Sequence, residues 1–131
     1  MDGAAVLSGM AAVSTASRFD ACINARDLPA LVALMSEDHT FVDSEGATVL
    51  GQDACREAWQ GFFAAFPDYR NVFEAMIADE VDETVTIVGR SECSVPALAG
   101  PALWTARVRD GLVTRWQVYQ DSPENRAMLG L

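Results

Sequence analysis

The order of elements in this sequence predicts an α+β fold, with helices packed on one face of an antiparallel sheet. Three observations lead there. Apolar residues recur at helical spacing up to Pro67. Beyond Pro67 the pattern changes to strands divided by turn residues. Half of the 131 residues are apolar, so a single domain over 1–131 can bury a core and disorder is not expected.

Ala12, Ala16, Phe19 and Ile23 fall at alternating intervals of four and three, one stripe of a first helix. Asn24-Ala25-Arg26-Asp27 interrupts it. Asp27 is placed to cap a short second helix, with Pro29 in its first turn and Leu28, Leu31, Val32 and Met35 as its apolar face. Residues 39–43 read as a short strand, 44–46 as a turn and 48–50 as a second short strand. Residues 51–66 carry the strongest helical pattern: Cys55, Trp59, Phe62 and Phe66 share a stripe, Phe63 lies beside them, and Pro67 ends it.

Four long strands are expected after that helix, at about 71–79, 84–94, 102–109 and 112–121. An acidic turn over 79–83 and a loop over 95–101, with two prolines and a glycine, separate them. Asp110-Gly111 is a two-residue hairpin signal. In Trp104-Thr105-Ala106-Arg107-Val108-Arg109 apolar and polar residues alternate, so one face is buried and the other is wet or lies in an interface. The tail, 122–131, has room for one helical turn. No internal repeat, low-complexity segment or linker is visible.

Charge and cysteine usage narrow the function. Nine Lys and Arg against 19 Asp and Glu give a formal net charge of −10, which argues against nucleic acid and anionic membrane surfaces as partners. Cys22, Cys55 and Cys93 are odd in number and widely spaced, the usage of a reducing compartment with buried thiols. No Lys or Arg precedes the mildly apolar first residues, so no secretory signal is expected, and no apolar run is long enough to span a bilayer. The expected location is the cytoplasm. A lone histidine, His39, excludes a histidine-based metal cluster and reads as a surface group at a strand start. No Gly-rich phosphate loop or Ser-His-Asp set is apparent, so no cofactor is expected.

Four segments, in this order and spacing, carry a resemblance. They are Ile23-Asn24-Ala25-Arg26-Asp27-Leu28-Pro29-Ala30-Leu31, Phe41-Val42-Asp43, the stretch from Trp59 to Phe66-Pro67-Asp68, and Arg109-Asp110-Gly111-Leu112-Val113-Thr114-Arg115-Trp116. The sequence resembles the nuclear transport factor 2-like superfamily, in particular its SnoaL-like polyketide cyclase and ketosteroid isomerase-like branches, from about Arg18 to Leu131. The resemblance implies a cystatin-like curved antiparallel sheet wrapped around three N-terminal helices, a cone-shaped pocket, and pairing of two copies through the outer sheet face. It implies cyclases, isomerases, dehydratases, epoxide hydrolases and non-catalytic binders alike, because a fold does not settle an activity.

Three groups of residues are candidates for chemistry. Asp43 closes the first short strand, with Phe41 on the same side. In ketosteroid isomerase-like enzymes an acid at the matching place is the general base beside a carbonyl, which an apolar pocket would suit. The plain alternative is that Asp43 organises the turn Asp-Ser-Glu-Gly. The tyrosine that those enzymes carry on the first helix is matched by Phe19, which donates no hydrogen bond. Arg90 and Glu92 lie two apart on one strand and resemble the Arg-x-acid pair of limonene epoxide hydrolase-like enzymes. Val118 stands at the matching place of the second acid, and Phe41 and Asp43 match the residues that hold water. The three charged groups are expected in one cavity, the alternative being a surface ion pair. Asp121 ends the last strand, where SnoaL-like cyclases carry a base for aldol ring closure. By alternation Asp121 shares a face with Tyr119 and Gln117, while Trp116, Val118 and Gln120 share the other.

The expected pocket is therefore apolar, walled by Phe19, Phe41, Trp59, Phe62, Trp104 and Val118 with Gln120, around a polar group of Asp43, Arg90, Glu92 and Asp121. Its expected occupant is a small apolar molecule. It undergoes cofactor-free acid–base chemistry or, alternatively, is bound without turnover by a ligand-binding or dimerisation module.

Overall fold

Helix α1 (Gly3–Ala25) buries the predicted stripe: Ala12, Ala16, Phe19 and Ile23 are all nearly or wholly inaccessible. The protein is described by a computed structural model over residues 3–79 and 81–131. Met1, Asp2 and Glu80 lie outside the described residues, Glu80 being the second residue of the expected acidic turn. α1 ends in a Schellman-type turn, in which the Asp27 amide donates to the Cys22 carbonyl at 3.0 Å and Arg26 takes φ 55°. A left-handed arginine is unfavourable locally. Its guanidinium offsets this by donating to the carbonyls of Asn24 at 3.0 Å and Tyr69 at 2.6 Å.

Helix α2 (Leu28–Ala33) starts as expected, with the Asp27 side chain accepting from the Ala30 amide at 3.2 Å and proline in the first turn. Strand β1 (Met35–Val42) begins four residues before the expected start, so Met35 belongs to the sheet and not to the α2 face. β2 (Thr48–Leu50) follows, then α3 (Gln52–Ala65), which buries Cys55 and Trp59. The four long strands are β3 (Arg70–Ala78), β4 (Thr84–Glu92), β5 (Gly100–Arg109) and β6 (Leu112–Gln120), each within two residues of its expected bounds. A short helix, α4 (Pro123–Met128), closes the chain with Ser122 as its cap. No helix of the described residues is long and apolar enough to cross a membrane.

Among the described residues, six strands join one curved sheet in the order β2-β1-β6-β5-β4-β3. Every pair is antiparallel except β1 with β6, which run parallel with Phe41 opposite Trp116. α1 lies across β3, β4, β5 and β6, so the core sits between that helix and one sheet face. The expected alternation in β5 holds: Trp104, Ala106 and Val108 are buried while Arg107 and Arg109 are exposed.

Two register shifts decide which side chains face inward. Between β3 and β4 the extra residue is Glu74, so the inward positions of β3 step from Asn71 and Phe73 to Met76 and Ala78. Opposite the bulge stands Gly89, where a Cβ would collide with the Val72 carbonyl. The second extra residue, Thr114, lets Val113 and Trp116 both face the core.

His39 corrects the sequence reading: it is wholly buried, not a surface group. The early start of β1 turns it inward with Met35. Its Nδ1–H donates to the Val113 carbonyl at 2.6 Å, its ring lies 5.6 Å from that of Phe19, and burial holds its pKa below the ordinary value, so it is neutral. The three cysteines are free; Cys55 is buried as expected, while Cys22 and Cys93 are only partly covered.

Candidate functional site

Strands β1 and β6 end, and β5 begins, at the same end of the sheet, as the pairings Val42 with Gln117 and Ala102 with Gln120 require. A cavity of about 530 Å³ lies there. That size is within the range of about 300–1,000 Å³ that holds small organic ligands. Its apolar wall comes from four sources: Phe41 and Val49 on β1 and β2, Ala58, Trp59 and Phe62 on α3, Trp104, Trp116 and Val118 on β5 and β6, and the segment around Leu98 and Pro101 that leads into β5. The aromatic rings support one another. Trp59 meets Phe41 edge-on at 5.4 Å and Phe62 at 5.6 Å, and Phe62 meets Tyr69 at 4.8 Å.

Polar groups enter this wall at two places. The first is where β1 and β6 end, which brings Asp43, Ser44, Gln120 and Asp121 to the lining. The Asp43 Oδ1 atom accepts the amides of Glu45 and Ala47, each at 2.9 Å, and so organises the turn into β2. Both bonds fall on one oxygen. The Asp121 carboxylate is held by Arg126 of α4 through Nε at 2.6 Å and Nη2 at 2.9 Å, and this bond keeps its pKa below the usual carboxylate range.

The second polar place is a chain of four side chains that the sequence reading missed. Tyr69 and Ser91 line the cavity, and their hydroxyls are 3.0 Å apart. Ser91 Oγ donates to Asn71 Oδ1 at 2.9 Å, and Asn71 Nδ2 donates to Asp20 Oδ1 at 3.0 Å. Asp20, Asn71 and Ser91 are all buried. Burial pushes the Asp20 carboxyl up to about 6, against the lowering effects of the Asn71 bond and of Arg70. Burial likewise pushes the Tyr69 phenol up, so it is protonated at neutral pH. The frame is fixed from α1: Asn24 exchanges two bonds with the backbone of Asn71, at 2.9 and 2.8 Å, while Arg26 holds the Tyr69 carbonyl. The segment that reads in the sequence as a helix interruption is thus the staple that sets the start of β3.

The expected convergence of Asp43, Arg90 and Glu92 does not occur. Arg90 and Glu92 do share a face of β4, but it is the outer one. Arg90 meets Glu92 and Glu74 at 3.4 Å each, all three side chains being about half exposed (46%, 47% and 56%). The inward parity of β4 belongs to Val85, Ile87, Gly89 and Ser91. Phe19 is also displaced from its expected place: it is wholly buried in the core, 4.7 Å from the Trp116 ring, and is absent from the cavity lining. Phe41, Trp59, Phe62, Trp104, Val118 and Gln120 line the cavity as expected, and so do Asp43 and Asp121. Among the described residues no three His, Cys, Asp or Glu side chains gather as metal ligands.

Comparison with known proteins agrees with this architecture. Residues 16–116 match the SnoaL-like domain, and the chain belongs to that family. No curated protein matches it in sequence. Among solved structures, a protein with a ketosteroid isomerase-like fold from Catenulispora acidiphila, in complex with trimethylamine, is 24% identical with a TM-score of 0.67, covering 89% of this chain and 92% of its own. An LEH-like epoxide hydrolase of M. tuberculosis is 15% identical with a TM-score of 0.74, covering 86% of this chain and 84% of its own. TerC, co-crystallized with polyporic acid, is 18% identical with a TM-score of 0.72, covering 92% of this chain and 99% of its own. At these identities the likeness is one of fold.

Proposed function

We propose that this SnoaL-like protein takes up one small, mostly apolar molecule in the cavity at the end of its sheet. The observation that carries the reading is the mostly apolar, aromatic-rich lining around a space of about 530 Å³, with few polar groups set into it. Such a lining rewards burial of an apolar ring system, while the sparse polar groups fix its orientation. TerC, which shares the fold and was co-crystallized with polyporic acid, supports a small organic ligand for this fold.

All three tryptophans line the cavity, so uptake is readable by their fluorescence. Titration with naphthalene is expected to perturb that signal with one site per chain. Ala102, which lines the cavity opposite Gln120, offers the control. Ala102→Phe fills the space and is expected to weaken binding by about tenfold or more with little change in Tm. Unchanged affinity in Ala102→Phe would place the binding elsewhere and defeat the reading.

A second reading, cofactor-free acid–base chemistry on the bound molecule, is favoured by the two carboxylates that line the same cavity. Asp43 is the better base of the two, because Asp121 is neutralised by Arg126. Asp43→Asn tests this cleanly, since an amide oxygen can keep both turn bonds. The expectation is lost turnover with ligand affinity and Tm retained. Turnover that survives the change rules Asp43 out as the base.

A further inference from the structure

We propose that Tyr69 presents oxygen lone pairs, and not its proton, to the cavity, and thereby selects a ligand carrying a hydroxyl or N–H donor on an otherwise apolar body. The inference rests on the cavity being the binding site and adds the polarity of the contact that Tyr69 offers there.

The argument is a count of protons along the chain of side chains. It begins at Asp20, which above about pH 6 is a carboxylate and only accepts. The Asn71 amide must therefore turn its Nδ2 to Asp20, at 3.0 Å, since the opposite orientation would set two acceptor oxygens against each other. That leaves Asn71 Oδ1 facing Ser91. An amide oxygen donates nothing, so Ser91 gives it its single proton, at 2.9 Å. Ser91 Oγ has then only lone pairs left for Tyr69, 3.0 Å away, and the phenol proton goes there. Tyr69 keeps that proton at neutral pH, because burial disfavours the phenolate. Its remaining capacity is acceptance.

The polarity is held from outside the chain as well. The two bonds between Asn24 and the Asn71 backbone, and the Arg26 bond to the Tyr69 carbonyl at 2.6 Å, fix both residues against α1. Flipping the Asn71 amide would set its oxygen against the Asp20 carboxylate and leave two buried acceptors with no donor between them. A ligand that offers a carbonyl or ether oxygen to Tyr69 meets another acceptor and leaves the contact unmade. A phenol, enol or alcohol completes it.

The test uses naphthol and its methyl ether, which exchange the donor for one methyl group, titrated against the full chain by calorimetry at pH 7.5. The native protein is expected to bind naphthol about tenfold tighter than the ether. Tyr69→Phe is expected to bring the two within about twofold, by weakening naphthol and sparing the ether. Ser91→Ala removes the acceptor for the phenol proton, frees it toward the cavity, and is expected to raise affinity for the ether. Equal or tighter binding of the ether by the native protein overturns the inference, as does an unchanged preference in Ser91→Ala, and in both cases the cavity remains the binding site. Failure of both probes to bind would overturn the cavity reading, and the inference with it.

Discussion

On the inner face of the β3–β4 pair, Asn71 stands directly opposite Ser91 and links Asp20 to Tyr69. On the outer face of the same pair Arg70 stands opposite Glu92, with Arg90 and Glu74 beside them. The outer cluster carries four formal charges; the inner carries one. Yet the inner bonds are the short ones, 2.9 to 3.0 Å, between buried Asp20, Asn71 and Ser91 and a partly covered Tyr69. The outer contacts are 3.4 to 3.7 Å between side chains about half in solvent. Water competes for every outer partner and for almost none of the inner ones, so charge count and energetic weight run in opposite directions here.

The sharpest way to break this contrast is to cut the inner chain at its middle. Asn71→Leu removes the partner of a buried carboxylate and of a buried hydroxyl at once, and is expected to cost about 4 kcal/mol in urea denaturation. A loss under about 1 kcal/mol would show the inner chain to be no weightier than a surface pair.

The next effect is a pH dependence with an unusual sign. The Asp20 carboxyl is raised from 3.8 to about 6 in the folded protein, so between these values the folded state holds a proton that the unfolded state has lost. Stability from this group is fully present below the unfolded pKa and falls as pH rises through about 6. The shift corresponds to roughly 3 kcal/mol at most. Stability of the native protein, taken relative to Asp20→Asn, is expected to decline from pH 4 to pH 7. A flat or rising difference would mean that Asp20 is not buried as described.

How far the sequence reveals this contrast depends on parity along a strand. Apolar periodicity located the helices and long strands, because core packing rewards exactly that pattern at Ala12, Ala16, Phe19 and Ile23 or at Trp104, Ala106 and Val108. The apolar cavity wall was legible for the same reason at Phe41, Trp59, Phe62, Trp104 and Val118. The polar part was not. The spacing of Arg90 and Glu92 places them on one face of β4 but does not say which face. Val85 and Ile87 already marked the inward parity, which runs on through Gly89 to Ser91. Ser91 and Asn71 carry no charge to draw notice, and the bulge at Glu74 hides the alternation of β3. Asp20 sits beside the buried stripe of α1, where only its partner in a distant strand shows that it is inside. His39 was missed because β1 starts earlier than its apolar residues suggest.

The smallest effect completes the comparison from the other side. Arg90→Ala removes the centre of the outer cluster, which contacts Glu74 and Glu92. Each partner returns to water rather than to a dry interior, so the expected cost is under about 1 kcal/mol and shrinks further in high salt. The same variant leaves Ser91 in place between its neighbours, with its bonds to Asn71 and Tyr69 pointing to the opposite face. Naphthol is therefore expected to keep its advantage over the ether in Arg90→Ala. Loss of that preference, with stability unchanged, would mean that the outer charges reach the cavity through the sheet, and the separation of the two faces would no longer hold.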